Sequence, residues 1–361
     1  MARILFLIIF IAPLSGCYYL QAAAGQWEVI RKREPLNDVI NASDTSPELA
    51  QRLRTVAAAR DFSIEQLGLP DNKSYRSYTE LERDFVVWNV FAAPEFSLQA
   101  EQWCFPVAGC VSYRGYFKKE SAVRESERLA DMGFDVAVGG VAAYSTLGKF
   151  SDPLLSTMLR WDDVRLVAVL FHELAHQVVY VKGDSGFNES FATAVEEFGV
   201  KRWLESRGQG DDYIAYQKSR ALQQRLMALV ATARDTLRPI YASNIDESYK
   251  AVLKSKRLEY LARDIGAELE RSGRDPTSWL TGELNNARLV SMTLYEGRLP
   301  AFRVLLRNCS MDVQCFYAQA NELAGLGKQE RDRRLDALAK HISAQSPAVL
   351  PALIEPPTIH H

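Results

Sequence analysis

The chain has 361 residues, 47% of them hydrophobic and 24% charged, with a formal net charge of −2. That length and apolar content bury a large core, as one big domain or two. The near-neutral balance, without a basic stripe, gives no case for a nucleic-acid partner.

Residues 1–17 read as a targeting segment. Arg3 supplies the positive start, and Ile4 to Pro13 form an apolar run shorter than the roughly 20 residues a bilayer span needs. The run ends in Leu14-Ser15-Gly16-Cys17, which resembles a bacterial lipobox. Cleavage there would remove residues 1–16 as signal peptide and leave Cys17 lipidated; the alternative is an ordinary secretion signal with an incidental cysteine. Tyr18 is not the Asp that holds such lipoproteins at the inner membrane. Resemblance to that sorting rule implies an outer-membrane lipoprotein of a Gram-negative bacterium, facing the periplasm. Residues 17–45 are then expected to be a lipidated N-terminus and polar tether. Assigning Cys17 to lipid leaves Cys104, Cys110, Cys309 and Cys315. Of the three possible connectivities, the local loops Cys104–Cys110 and Cys309–Cys315 are simplest in an oxidising periplasm. A structural zinc site is the alternative, although neither pair has C-x-x-C spacing.

A domain is expected over 46–346, sheet-rich at 84–145. Ser46 to Leu67 reads as a helix, with Leu49, Leu53, Val56 and Ala57 at helical spacing. Asp84 to Phe91 reads as a strand that stops before Pro94. Gln99 to Phe105 and Val111 to Phe117 read as two more, either side of a turn at 106–109. Lys119 to Met132 reads as a helix. Phe134 to Tyr144 is a strand interrupted by Gly139 and Gly140, and interior glycine marks close approach of a ligand or another backbone.

The stretch Trp161 to Glu197 carries the chemistry. Asp162 and Asp163 suit a helix N-terminus, and Val164 to Val181 contains no Pro or Gly. Within it, His172-Glu173-Leu174-Ala175-His176 is an H-E-x-x-H sequence. Residues four apart share a helix face, so both imidazoles can reach one ion, and Glu173 beside them can act as general base on a water. Catalytic zinc wants three protein ligands. The remaining histidines, His341, His360 and His361, lie far along the chain, so a carboxylate is expected. The best candidate is Glu189 in Asn188-Glu189-Ser190-Phe191-Ala192, returned by the turn at 182–186. Glu196 lies seven residues past Glu189 on the same face. It is either a partner that holds a ligand histidine or a plain surface charge. These two helices are expected over 162–204. Residues 211–340 are expected to be helical, with Pro239 as a kink or boundary in the segment Asp211 to Ala242. The tail 347–361 is expected to be disordered.

HELAH followed by NESFATAVEE resembles the gluzincin metallopeptidases, especially the aminopeptidase N group, whose N-E-x-F-A glutamate is the third zinc ligand. With YYLQAAAGQ (18–26), WCFPVAGCVSYRGYF (103–117), HELAHQ, NESFA and LNNARL (284–289), nearly the whole chain resembles the zinc aminopeptidases found as lipoproteins of Gram-negative bacteria. The resemblance implies an α+β, gluzincin/thermolysin-like fold: an N-terminal antiparallel sheet, a zinc helix pair and a mainly helical C-terminal half. It implies a monomeric zinc metallopeptidase with one Zn2+ on His172, His176 and Glu189, and with Glu173 as base. The strand before the zinc helix, through Gly139, Gly140, Val141 and Ala142, would be the sheet edge that pairs with substrate; a kinked core strand is the other reading. Tyr295 is a candidate to stabilise the oxyanion, as are Tyr113 and Tyr116. Two departures stand out. Twelve residues separate His176 from Glu189, fewer than in aminopeptidase N. The edge strand also lacks the acid that grips a substrate amine, leaving Glu120, Asp135 and Glu283 as candidates. An endopeptidase of the same fold is therefore one alternative, and a lipid-anchored binding or assembly protein with a non-catalytic zinc site another.

Overall fold

The segment expected to be a tether is built into the fold. In the computed structural model, which describes residues 13–105, 109–148, 150–279, 282–293 and 297–345, it forms helix α1 (Pro13–Arg31), strand β1 (Arg33–Pro35) and helix α2 (Leu36–Asn41). Val29, Leu36 and Val39 are buried in the main core. The YYLQAAAGQ residues explain the packing. A Cβ on Gly25 would lie 2.0 Å from the Phe117 ring, so only glycine lets α1 come this close. Gln21 donates to Gly115 O (3.3 Å) and accepts from Phe117 N (3.2 Å), satisfying backbone around strand β6 (Arg114–Tyr116). Tyr18 stacks under the Arg114 guanidinium at 4.2 Å. Gln21 thus serves backbone, and Gln26 accepts from the Tyr144 hydroxyl.

The architecture is α+β, with three small sheets in place of the single antiparallel one expected. In the first, β2 (Ser77–Thr79) pairs antiparallel with β1 and parallel with β8 (Leu154–Leu155). In the second, β3 (Val87–Pro94) lies between β6 and β7 (Phe134–Val141), both antiparallel to it. The third is the hairpin of β4 (Trp103–Phe105) and β5 (Gly109–Val111), where Cys104 faces Cys110 across the ladder and is disulfide-bonded to it. The expected strand Val111 to Phe117 is thus divided: its start belongs to this hairpin and Arg114–Tyr116 to the second sheet. Pro94 ends β3 instead of following it, a position where its missing N–H costs nothing. Helix α4 (Lys119–Asp131) buries Ala122 and Leu129 in a satellite core with Val90, Ala92 and Tyr116.

Helix α3 (Pro47–Glu65) is capped by Ser46, which accepts from Leu49 N. Its Leu53 and Val56 join the main core with Leu166, Leu170 and Phe171 of α5 (Asp163–Ala175) and with Phe187, Phe191 and Val195 of α6 (Ser185–Ser206). Phe302 of α10 (Leu299–Asn308) and Phe316 of α11 (Val313–Ala324) close the same core, and the Cys309–Cys315 disulfide joins those two helices; α12 (Lys328–Gln345) ends the described chain.

Helices α7 (Gly210–Ala242) and α8 (Glu247–Arg271) form a hairpin with a core of its own, Leu222, Leu226, Val230 and Leu237 against Leu258, Leu261 and Ile265. Pro239 lies inside α7, near its end, and does not terminate it. Leu289 of α9 (Asn286–Thr293) seals that core. The LNNARL residues fasten α9 to the second sheet: Asn285 Nδ2 donates to Val136 O and Asn286 Nδ2 to Glu95 O, both at 2.8 Å. Among the described residues, no helix is long and apolar enough to cross a membrane. The tail 347–361, with His360 and His361, and Tyr295 lie outside the described residues.

Candidate metal centre

Asp162 caps α5 by accepting from Arg165 N at 2.8 Å. The helix ends at Ala175, six residues before Val181, where the absence of Pro and Gly suggested it would stop. His176 is the cap residue, yet it keeps helical dihedrals and bonds back to His172 O, so the two imidazoles still share a face. The early ending has a visible cause. Buried Asn188 uses both ends of its amide on Val181, accepting from its N (2.7 Å) and donating to its O (2.8 Å). Asp184 caps α6 by accepting from Phe187 N, and Arg331 holds that carboxylate at 2.7 Å. The chain is thereby folded back so that Glu189, next to Asn188, faces α5.

His172, His176 and Glu189 each place a ligand atom within 4.8 Å of the others. His172 Nε2 lies 3.1 Å from Glu189 Oε2, and His176 Nε2 lies 3.6 Å from Glu189 Oε1. Tetrahedral zinc with ligands at about 2.1 Å holds them about 3.4 Å apart, between these two values. His172 Nδ1 lies 3.1 Å from Glu196 Oε2, leaving Nε2 for a metal, and Glu196 Oε1 accepts from Tyr216 OH at 2.9 Å. His176 Nδ1 is buried with no partner among the described residues. Two imidazole nitrogens and a carboxylate fit a divalent ion that takes N and O ligands.

Glu196 therefore stands against His172, one of the three residues that could hold a metal, and is not a plain surface charge. Tyr216 and Asn188 were not singled out in the sequence as working parts of this cluster. Asn188 had a signal in its place beside Glu189, while Tyr216, on the next helix, had none.

The electrostatics follow from burial among acids. Burial opposes charge on His172, but the hydrogen bonds to Glu189 and Glu196 outweigh it and hold the ring well above the usual imidazole range. Burial and the neighbouring His172 push His176 down to about 4, so it is neutral at pH 7. Burial raises Glu173 to about 7, against the pull of His172 and with the help of Glu189 and Asp152. Burial also works to raise Glu189, yet the hydrogen bond from His172 leaves it below the usual carboxylate range.

The other expected residues divide. Tyr113, between β5 and β6, packs on Phe91 at 5.8 Å; burial, then the Glu189 charge, push its phenol up to about 12. Tyr116 instead packs against Tyr18 and Arg114 in the satellite core. Glu120 and Glu283 are exposed, and Asp135 is paired with Lys254 at 2.7 Å. Strand β7 is indeed a sheet edge. Its Val136 carbonyl turns away from β3 to Asn285, so by the alternation of the ladder Val138 and Gly140 turn the same way. The glycines have different reasons. A Cβ on Gly140 would meet the Phe85 ring at 2.4 Å, whereas Gly139 has only Phe91 at 4.0 Å. The Ala142 carbonyl accepts from Thr157 Oγ1 at 2.6 Å and is closed to substrate.

No curated protein and no solved structure matches the chain. One family does, over residues 17–335, a span that takes in α1, the three sheets, the His172–His176–Glu189 cluster and the helices beyond it. The chain belongs to that family, described as "Putative aminopeptidase".

Proposed function

We propose that the protein is a zinc-dependent peptide hydrolase of gluzincin type, an aminopeptidase acting as a monomer. We place it at the outer membrane, facing the periplasm and anchored by lipid on Cys17. One observation carries the hydrolase reading: the Nε2 atoms of His172 and His176 converge on the Glu189 carboxylate, with half-buried Glu173 following His172 on the same helix. Family membership supports a peptidase-like activity.

His172, His176 and Glu189 would hold the ion. Zinc bound there would polarise a carbonyl and bring the pKa of a water towards about 7. Glu196 fixes the His172 ring through Nδ1, and Tyr216 in turn orients Glu196. Glu173 accepts the proton of the attacking water and delivers it to the leaving amine. The outward backbone of Val138 and Gly140 receives an extended peptide as an added strand. Tyr113, protonated at neutral pH, is a hydrogen-bond donor on the Glu189 side; it takes the place considered for Tyr295.

A specific observation favours a second reading, an endopeptidase. None of the acids considered for gripping a substrate amine is free at the cluster, since Glu120 and Glu283 are exposed and Asp135 is held by Lys254. A buried amine without a carboxylate partner is costly to desolvate. The test is turnover of a mixed peptide set by zinc-loaded wild type and Glu173→Gln, with metal content measured in both. Cleavage by wild type alone, at equal zinc, supports the hydrolase. Comparing a free peptide with its N-acetylated twin then separates the two: equal rates or internal cuts would leave the endopeptidase standing.

A further inference from the structure

Helix α1 has two faces, and the body of the protein uses only one of them. On the inner face, Gln21 bonds to backbone at Gly115 and Phe117, Gly25 lies against the Phe117 ring, and Gln26 accepts from the Tyr144 hydroxyl. Val29 is fully buried there, and its carbonyl accepts from Thr79 Oγ1 at 3.1 Å. Glu28 pairs with Arg83 at 2.9 Å. A helix fastened at this many points along its length cannot roll, so the direction of its outer face is fixed as well.

That outer face is apolar. Leu20 is 70% exposed and Trp27 64%, more than any other large hydrophobic side chain among the described residues. They lie seven residues apart, so they share one line along the helix, and exposed Ala23 and Ala24 fill the turn between them. Tyr19 borders the stripe. A solvated helix carries charged or polar residues on the face turned away from the core. Here that face holds none from Leu20 until Arg31, four residues past Trp27. Apolar residues scattered singly over a surface need no explanation, but a continuous stripe does.

Two further features identify what covers it. The first is charge. The stripe ends in Arg31-Lys32-Arg33, so residues 28–34 hold three cations against Glu28 and Glu34, and Glu28 is already engaged by Arg83. The second is continuity. Ile4 to Ala12 are apolar and lead directly into the helix, and Cys17, three residues before Leu20, extends the line of the stripe. Whether the chain is attached through that apolar run or through lipid on Cys17, the attachment enters a bilayer at the apolar end of the stripe. Leu and Trp on one helix face, with basic residues beside them, are the pattern of a helix that lies in a membrane–water interface.

We propose that the outer face of α1 rests in the surface of a phospholipid bilayer, with Leu20 and Trp27 among the upper acyl chains and Arg31 on anionic headgroup phosphates. The stripe lies wholly after Cys17, so loss of residues 1–16 leaves it intact. The docking goes beyond the peptide-hydrolase reading and does not depend on it.

The test uses the full chain, purified from membranes with whichever attachment it carries and reconstituted into vesicles of phosphatidylethanolamine and phosphatidylglycerol. Tryptophan emission is recorded with and without phospholipids brominated high on the acyl chains, for wild type and Trp27→Phe. The difference between the two chains isolates Trp27 from the other tryptophans, and phenylalanine keeps an apolar contact, so docking persists. Trp27 and Arg31 are both exposed, and an unchanged Tm will show that neither substitution disturbs the core. We expect the Trp27 emission to be blue-shifted and to lose most of its intensity to bromine. Arg31→Glu should lower the ratio of docked to undocked Trp27 by at least about fivefold on these vesicles, and by less on pure phosphatidylcholine. Equal losses on the two kinds of vesicle would overturn the contact with phosphates. A red-shifted, unquenched Trp27 would overturn the docking, because the attachment would then hold the protein while α1 stays in water. A blue-shifted but unquenched Trp27 would overturn it as well, placing the stripe against a second copy of the chain or against residues 1–12.

Discussion

Two kinds of acid lie on α6 and at its cap, only a few residues apart. Asp184 and Glu197 are answered by arginine: Arg331 reaches Asp184 at 2.7 Å, and Arg303 grips Glu197 with two hydrogen bonds, at 2.8 and 2.6 Å. Among the described residues Glu189 and Glu196 have only histidine as an ion-pair partner, Glu196 accepting from the Tyr216 hydroxyl as well. A guanidinium brings a fixed positive charge, so the first pair is neutralised within the protein. In the second, only His172 is held charged, while His176 is driven neutral. One imidazolium faces two carboxylates, with half-buried Glu173 following His172 on the same helix. Acids matched by arginine are complete as built, whereas acids matched by imidazole retain an excess of negative charge, and the imidazolium can release its Nε2 proton to make way for a cation.

The largest effect should come from Glu173, an acid with no hydrogen-bond or ion-pair partner among the described residues. Glu173→Gln is expected to lower kcat by about 10²–10⁴-fold while zinc content and Tm hold. A large fall in Tm would mean that Glu173 belongs with the structural acids and would break the comparison.

Arg331→Ala comes next. Its side chain is 5% exposed against 11% for Asp184, so removing it strands a buried charge and should cost about 3–5 kcal/mol of stability by urea unfolding. Activity per folded molecule should survive, and loss of zinc without loss of stability would place Arg331 on the wrong side of the divide.

Glu196→Gln keeps the shape but weakens the hold on His172. A loss of about 10–100-fold in metal affinity is expected by chelator competition, with unfolding little changed. Tyr216→Phe, one step farther out, should give the smallest shift, under about tenfold in the same assay. A Tyr216→Phe loss larger than that of Glu196→Gln would reverse the order in which these groups support the ring.

Legibility in the sequence followed distance along the chain. His172, Glu173 and His176 are visible because four-residue spacing is local. Glu189 is visible because it lies one turn and one cap away. Cys104 and Cys110, and Cys309 and Cys315, pair across short loops as expected. The tether reading of residues 17–45 failed because Gln21 serves backbone at Gly115 and Phe117, about a hundred residues on. The end of α5 was misplaced because Asn188 captures Val181, which no count of helix breakers reveals. The split of Val111 to Phe117 between two sheets reflects which strand each half meets in space. Tyr216 carries no motif, and only the folded chain brings it against Glu196.

The fit of α1 against β6 has a mechanical consequence. Should Cys17 carry lipid after loss of residues 1–16, the acyl chains attach at the first residue of what remains of α1, residues 17–31, which is bonded into the folded domain through Gln21 and the Gly25–Phe117 contact. Such a helix rises only about 22 Å, and a rigid bracket has none of the reach of a flexible leash. The site would then work at one fixed height above the bilayer, sampling a thin layer of the surrounding fluid, and peptides would have to diffuse into that layer to be cut.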